Sequence, residues 1–382
     1  MIPLHSSAEG ATDVAGAISG LKRRLRGTIA SLTLLLLPCL LGCQSAKFYA
    51  QAIHGQCQII HRQTPIKRLL TRTNLAPELA AKLRLVLALR AFAENELELP
   101  ANGHYLTYAN LERRYAVWNV YAAPEFSIEA RSWWYPVVGR LKYRGYFKEK
   151  LAREYAARLP AKGYDVHVGG VQAYSTLGWF RDPVLNTFIF DSETELAELL
   201  FHELAHQRVF ASGDTDFNEA LATTVAEEGV RRWLRRQGHP EALAAFEADA
   251  RRDEQFVDLL TRTRSRLQSL YTNAPASSSP LHNAASLRAA KMQIFADLSA
   301  EFQKLKAGWG GITDYDNWFL QPLNNARLNT VETYYRWVPA FRRLLKERSE
   351  GRLDRFFREA ERLARLPKQA RQEFLEGLQQ RE

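Results

Sequence analysis

The stretch SETELAELLFHELAHQR, residues 192–208, decides how this chain is to be read. Ser192 carries the side-chain oxygen an N-cap needs, and Glu195 three residues later completes a capping box. Leu196, Leu199 and Leu200 then carry a helical period into His202-Glu203-Leu204-Ala205-His206. Side chains four apart share a helix face, so His202 and His206 can offer two imidazole nitrogens to one metal ion. Glu203, one residue after the first histidine, can reach a water on that ion while pointing away from coordination. Zinc lowers the pKa of a bound water to about 7, and a carboxylate so placed takes its proton as the water attacks a carbonyl. Leu199, Leu200, Leu204 and Ala205 are uncharged, as a buried catalytic helix requires, whereas Arg208 indicates that the helix surfaces early. The plain alternative is two histidines on a solvated face with Glu198 and Glu203 as salt partners, which leaves the spacing unexplained.

A catalytic zinc takes three protein ligands and keeps one position open. Beyond His206 the chain turns at Ser212-Gly213-Asp214 and then reads Phe217-Asn218-Glu219-Ala220-Leu221-Ala222. An Asn-Glu pair followed by small residues resembles the third-ligand helix of the gluzincin metallopeptidases, where small side chains let two helices approach. That resemblance makes Glu219 the expected third ligand. Glu227 and Glu228 compete two turns further along, and Glu227, eight residues from Glu219, can share the same face. Asp214 or Asp216 could orient a ligand histidine, or could serve as turn and cap residues.

The 382 residues are 46% hydrophobic and 25% charged, globular proportions that exclude a disordered chain. The formal charge is +10. In residues 1–42, Lys22, Arg23, Arg24 and Arg26 against Glu9 and Asp13 account for +2 of it, leaving +8 beyond. That balance suits an anionic membrane surface or cell-wall polymer; a dense basic tract and stacking platforms for nucleic acid are missing.

Residues 1–42 read as an address. The basic cluster Lys22–Arg26 precedes an apolar run, Ile29–Leu37, which is too short for a membrane span of about 20 residues. Leu40-Leu41-Gly42-Cys43 resembles the bacterial lipobox, in which the cysteine is lipidated and becomes the mature N-terminus. Gln44 follows it, and in Gram-negative lipoproteins the absence of Asp there implies outer-membrane sorting on the periplasmic face. An uncleaved helical anchor is the alternative. With Cys39 removed and Cys43 modified, Cys57 stands alone, so the fold must rest on its core without an internal disulfide.

The remainder predicts a mainly α protein with a small β-sheet, an α+β arrangement around a zincin-like catalytic domain with helical elaborations. Helical spacing covers Pro77–Leu99, Phe147–Leu159, Ser192–Phe210, Asn218–Arg236, Glu241–Tyr271, Ser286–Lys306, Asn329–Lys346 and Leu353–Leu366, with a charged helix beyond Pro367. Strand signals fall at Val166–Gly169, Ala173–Phe180 and Val184–Phe190, and Asp182-Pro183 invites the last two to pair as a hairpin. The linker NAPASSSP, residues 273–280, separates residues 43–272, the N-terminal helices, sheet and zinc core, from a helical part at 281–382 packing on that core.

Several segments together resemble an uncharacterised bacterial family of aminopeptidase-like lipoproteins. They are FHELAHQ (201–207), GDT (213–215), FNEA (217–220), YSTLGWFRDP (174–183), YAQAIHGQ (49–56) and NNARL (324–328). The resemblance covers nearly the whole mature chain. It implies a lipid-anchored zinc peptidase of gluzincin type with His202, His206 and Glu219 as ligands and Glu203 as base. Aminopeptidase-N-like enzymes capture the substrate amine with a glycine-x-methionine-glutamate-asparagine segment; here Gly178-Trp179-Phe180-Arg181-Asp182 stands in the comparable region.

Other parts of a site are expected on chemical grounds. An edge strand, Ser175–Phe180 or Leu185–Phe190, could hold extended substrate or be ordinary sheet. An oxyanion needs a donor, for which Tyr334 and Tyr335 beside Arg336 are candidates, against their use as a core aromatic pair. Trp133-Trp134-Tyr135-Pro136 and Lys142–Phe147 read as core and turn, with a cleft lining or membrane contact as the alternative. The expected activity is hydrolysis of peptide or protein substrates by metal-activated water in the bacterial envelope. The rivals are a non-catalytic zincin-like lipoprotein acting as an envelope binding or assembly factor, and an amidase acting on cell-wall peptide cross-links.

Overall fold

Proline, glycine and capping residues punctuate this chain, and the helices start and stop where they stand. The structure is a computed structural model that describes residues 43–135, 139–173, 181–273, 280–335 and 337–379; at 43–44, 280–283 and 331–335 it describes the backbone alone. In chain order the first elements are α1 (Cys43–His61), β1 (Gln63–Pro65), α2 (Ile66–Leu70), α3 (Pro77–Glu96), β2 (Thr107–Ala109) and β3 (Val117–Pro124). They are followed by β4 (Trp133–Tyr135), β5 (Gly139–Leu141), β6 (Arg144–Tyr146), α4 (Glu149–Ala156), β7 (Tyr164–Val171) and β8 (Val184–Leu185). Helices then dominate: α5 (Glu193–Arg208), α6 (Thr215–Gln237), α7 (Pro240–Thr272), α8 (Pro280–Gly308) and α9 (Asp316–Phe319). The chain ends in α10 (Asn325–Tyr335), α11 (Val338–Arg343), α12 (Leu353–Ala364) and α13 (Lys368–Gln379). Contacts divide the chain into Met1–Cys57 and Gln58–Glu382, and the sheets and the candidate site belong to the second unit.

The helical expectation stands with small sheets beside it, but the strands need correction. The main sheet has the order β6-β3-β7 and is antiparallel throughout, with β3 paired along its whole length, from Val117↔Val171 to Pro124↔Tyr164. Of its strands, the sequence reading placed only the interior of β7. The hairpin expected around Asp182-Pro183 rests on residues 174–180, which lie outside the described residues; β8 itself pairs in parallel with β2 (Tyr108↔Val184, Ala109↔Leu185). The strand expected at Val184–Phe190 is only two residues long, because Asn186 turns the chain. Its Oδ1 accepts from the Leu111 amide at 2.7 Å and its Nδ2 donates to the Arg113 carbonyl at 3.1 Å. Leu185–Phe190 is therefore not an edge strand, and residues 174–180, with the other candidate edge, lie outside the described residues. The long helix expected over Asn329–Lys346 is broken after Tyr335 and restarts at Val338. Pro339 is the cause, because it lacks an N–H and its ring clashes with the carbonyl four residues back.

The core is built on α5 and α6. One face of α5 buries Leu196, Ala197, Leu200, Phe201, Leu204 and Ala205. Gly229 on α6 lets that face come close: a Cβ there would stand 2.7 Å from the Phe201 ring and 2.8 Å from Leu97. Phe217, Phe341, Phe356 and Phe357 complete the same cluster and join α6 to the C-terminal helices. A second cluster, including Phe256, Leu260, Phe295 and Phe302, fills the space between α7 and α8. Burying one such aromatic side chain contributes about 1.5–3 kcal/mol, and each of these is under 8% exposed.

Candidate metal centre

The capping box at the head of α5 is formed as the sequence implies. Ser192 Oγ accepts from the Glu195 amide at 3.2 Å, and Glu195 Oε2 accepts from the Ser192 amide at 2.9 Å. The helix then places His202 and His206 one turn apart with ring centroids 4.9 Å from each other. It ends at Arg208, whose guanidinium lies over Phe357 and pairs with Glu361.

The turn into α6 is locked by its own polar side chains. Asn218 accepts from the Ala211 amide at 2.7 Å and donates to the Ala211 carbonyl at 2.9 Å. Gly213 adopts φ +75°, a left-handed conformation that glycine takes without strain. Asp214 caps the helix through the Phe217 amide and pairs with Arg371 at 3.0 Å. Asp216 pairs with Lys142 at 2.8 Å. The cap and turn reading of Asp214 thus stands, and neither aspartate is bonded to a site histidine. His206 Nδ1 is buried without a hydrogen-bond partner among the described residues.

With the turn fixed, Glu219 Oε2 comes within 3.1 Å of His202 Nε2 and 3.7 Å of His206 Nε2. Among the described residues, His202, His206 and Glu219 form the group able to hold a metal ion, with ligand atoms within 4.8 Å of one another. Burial pushes the Glu219 carboxyl up, but hydrogen bonds from the two histidines outweigh it and hold the group well below the usual carboxylate range. Glu227 stands apart: it is clamped by the Arg342 guanidinium at 2.8 and 2.6 Å and is 5% exposed. Its role is to tie α6 to α11. Glu203 is one residue from His202, and its Oε2 is buried with no hydrogen-bond partner among the described residues.

Donor chemistry tests the fit of an ion. Two imidazole nitrogens and a carboxylate oxygen are donors that zinc accepts, and three of them leave one tetrahedral position open. Donors about 2.0–2.1 Å from one tetrahedral ion stand roughly 3.3–3.4 Å from each other, a spacing bracketed by the two contacts Glu219 makes. The residues fit.

A small cleft opens beside Glu219 and is lined also by Tyr121, Lys142, Tyr143, Asn329 and Thr330. Tyr121 projects from β3 and stacks on its cross-strand partner His167, centroids 6.1 Å apart. Asn119, two residues back on the same face, donates to the Tyr121 hydroxyl at 3.3 Å. Room for that amide comes from Gly145, which is paired with Asn119; a Cβ on Gly145 would stand 3.2 Å from Asn119 Oδ1. Burial raises the Tyr121 and Tyr143 hydroxyls, and Glu219 adds to both shifts, so each phenol keeps its proton. Burial, together with the Arg327 guanidinium 3.3 Å from its Nδ1, lowers His167 to about 4, so it is neutral at physiological pH.

The Lys142–Phe147 run divides between the two readings: Lys142 and Tyr143 line the cleft, while Tyr146 and Phe147 are core. Trp133 is buried and Trp134 is 64% exposed on β4. Tyr105 was missed altogether. It sits at φ +58°, an unusual conformation for an aromatic residue, and burial and the nearby Glu203 and Asp182 raise its hydroxyl. Tyr334 and Tyr335 occupy the last turn of α10, and their side chains lie outside what is described. Cys43 is the first residue of α1, its side chain also undescribed, and residues 1–42 lie outside the described residues.

The sequence model of a family described as "Putative aminopeptidase" matches residues 47–375. No curated protein matches the chain, and no solved structure does.

Proposed function

The chain belongs to the "Putative aminopeptidase" family, and from that premise we propose that it is a zinc-dependent peptidase with a zincin-like centre of gluzincin type. The observation that carries the reading is the convergence of His202 Nε2, His206 Nε2 and Glu219 Oε2. When bound there, zinc would supply a Lewis acid for the scissile carbonyl and for the attacking water. Glu203 performs the proton transfers: it accepts a proton from the water as the oxygen adds to the carbonyl carbon. It then delivers that proton to the leaving nitrogen as the C–N bond breaks, yielding an acid and an amine. The buried, unpartnered Oε2 suits a base whose partner arrives with the substrate. Tyr121 is positioned to steady the oxyanion. Because Asn119 donates to the phenol oxygen, the phenol's own hydrogen remains available to donate into the cleft. Tyr334 and Tyr335 remain candidates for the same task on sequence grounds.

We further propose that the chain works in a bacterial envelope, lipid-anchored through Cys43, on the periplasmic face of the outer membrane. The support is the lipobox-like Leu40-Leu41-Gly42-Cys43 behind a basic and then apolar segment. Among the described residues no helix is long and apolar enough to cross a membrane. Labelling with a radioactive fatty acid should mark the wild type and not Cys43→Ala.

Glu203→Gln tests the mechanism. It should keep zinc and lose hydrolysis of a peptide library by about 10³-fold, the scale of a general base. Undiminished turnover would contradict the role. Wild-type protein that holds zinc yet cleaves neither peptides nor muropeptides would favour the non-catalytic envelope factor.

A further inference from the structure

An aminopeptidase that grips the free amine of its substrate needs a carboxylate to receive the ammonium charge. The cleft beside Glu219 offers the opposite. Among the described residues lining it, Glu219 itself is the one carboxylate and Lys142 the one cation. Asp216 holds the Lys142 ammonium at 2.8 Å, and this uses one of its three donor hydrogens. The lysine side chain is 40% exposed, so the ammonium is held in place without being closed off.

A second donor lies in the same wall. Asn329 is 6% exposed, and its Nδ2 is buried without a hydrogen-bond partner among the described residues. The Arg264 guanidinium donates to Asn329 Oδ1, which leaves the NH₂ end of this cleft-lining residue as the unpaired one. A buried amide left unpaired costs about 1–3 kcal/mol, so an acceptor delivered by a ligand would relieve it.

The position of the pair relative to the metal centre fixes what it can read. Asp216 and Glu219 are three residues apart on α6, hence neighbours on one face about 5–6 Å apart at Cβ. Lys142, whose ammonium Asp216 holds, lines the same cleft as Glu219, so a carboxylate bound there would belong to a residue close to the group undergoing hydrolysis. We infer that this cleft, as part of the peptidase proposed above, recognises a carboxylate on the residue immediately following the scissile bond, through Lys142 and Asn329. The favoured substrates are short peptides cut next to a free C-terminus, or peptides with an acidic side chain at that place.

Four synthetic substrates separate the possibilities: Ala-Ala, Ala-Ala-amide, Ala-Glu-amide and Ala-Gln-amide, assayed with the zinc-loaded full chain. Ala-Ala should exceed its amide by about 10- to 100-fold in kcat/KM, chiefly through KM, the scale of one charge-assisted hydrogen bond. If instead Ala-Glu-amide exceeds Ala-Gln-amide by that margin, the carboxylate read is that of the side chain. Lys142→Gln combined with Asp216→Asn keeps a neutral hydrogen-bonded pair, so no buried charge is orphaned. In that variant the preference should collapse to within about twofold, whereas Lys142→Arg should retain it. Ratios within about twofold for both wild-type pairs would overturn the inference while leaving the peptidase intact. If none of the four is hydrolysed, the peptidase reading still rests on the library assay above, and calorimetric binding of Ala-Ala against Ala-Ala-amide then decides the carboxylate site. Tighter binding of the free acid, lost in the double variant, upholds the carboxylate site, and equal binding overturns it.

Discussion

Two regions face each other across the cleft, and they are built by different rules. The α5–α6 pair carries His202, Glu203, His206 and Glu219 on two consecutive helices joined by a turn that closes on itself through Asn218. The opposite wall, the β6-β3-β7 sheet, brings Tyr121, with Asn119 and His167 around it, from strands that begin at residues 117, 144 and 164. α10 contributes Asn329 from still further along the chain. In the helix pair, spacing along the sequence is nearly spacing in the site. In the sheet wall, position follows from pairing register, and no short stretch of sequence contains it. The first region is suited to holding an ion and a base at fixed distance, and the second to shaping what lies over them.

That division makes separable expectations. Glu219→Ala should weaken zinc binding by well over about 10²-fold, more than loss of an outer partner would, and abolish hydrolysis; a metal titration with a fluorescent competitor measures it. On the sheet side, Tyr121→Phe should leave zinc affinity unchanged and lower kcat by about 10²-fold, the scale of one lost oxyanion donor. Loss of metal in that variant would break the comparison, because it would mean that the wall also builds the centre.

The docking of α10 on the end of β3 is open to a stability measurement. Asn325 is fully buried, and its Nδ2 donates to the Pro124, Glu125 and Ser127 carbonyls at 3.0–3.1 Å while its Oδ1 accepts from Tyr271 at 3.0 Å. Asn325→Ala should cost about 2–3 kcal/mol in denaturant unfolding, because buried carbonyls lose their donor.

The smallest expected effect concerns the back of α5. Burial raises Glu198 from 4.5 to about 7, assisted by Glu227, Asp253 and Glu195 and opposed by Arg231. Between those values the folded protein keeps a proton that the unfolded chain has released, so this group makes stability fall as pH rises through that window. Glu198→Gln should flatten the fall and stabilise the protein at pH 8 by about 1–2 kcal/mol. A steeper decline in the variant would show that the charged carboxylate has an unrecognised partner.

Legibility in the sequence followed the same division. The helix signals are local: a capping box within four residues, two histidines one turn apart, small side chains at the start of α6, and Gly213 at the turn. Each was readable because its partners lie within one or two turns. Val117–Pro124 carries β-branched and aromatic residues in sufficient number to signal a strand, and it was the clue available for Tyr121. β4, β5 and β6 are three residues each, too short for any period; β4 and β5 pair with each other, and β6 exists by pairing with β3. The pairing of β8 was equally hidden, because its partner β2 lies over seventy residues upstream. Lys142 and Asn329 gave no local sign of meeting in one cleft, because their placement depends on both the sheet register and the packing of α10.

Anomalous diffraction at the zinc absorption edge, on crystals of the full chain grown with zinc, tests the central claim most directly. The expected result is one strong anomalous peak about 2.0–2.2 Å from His202 Nε2, His206 Nε2 and a carboxylate oxygen of Glu219. A peak bound elsewhere, or no peak between these three side chains, would contradict it.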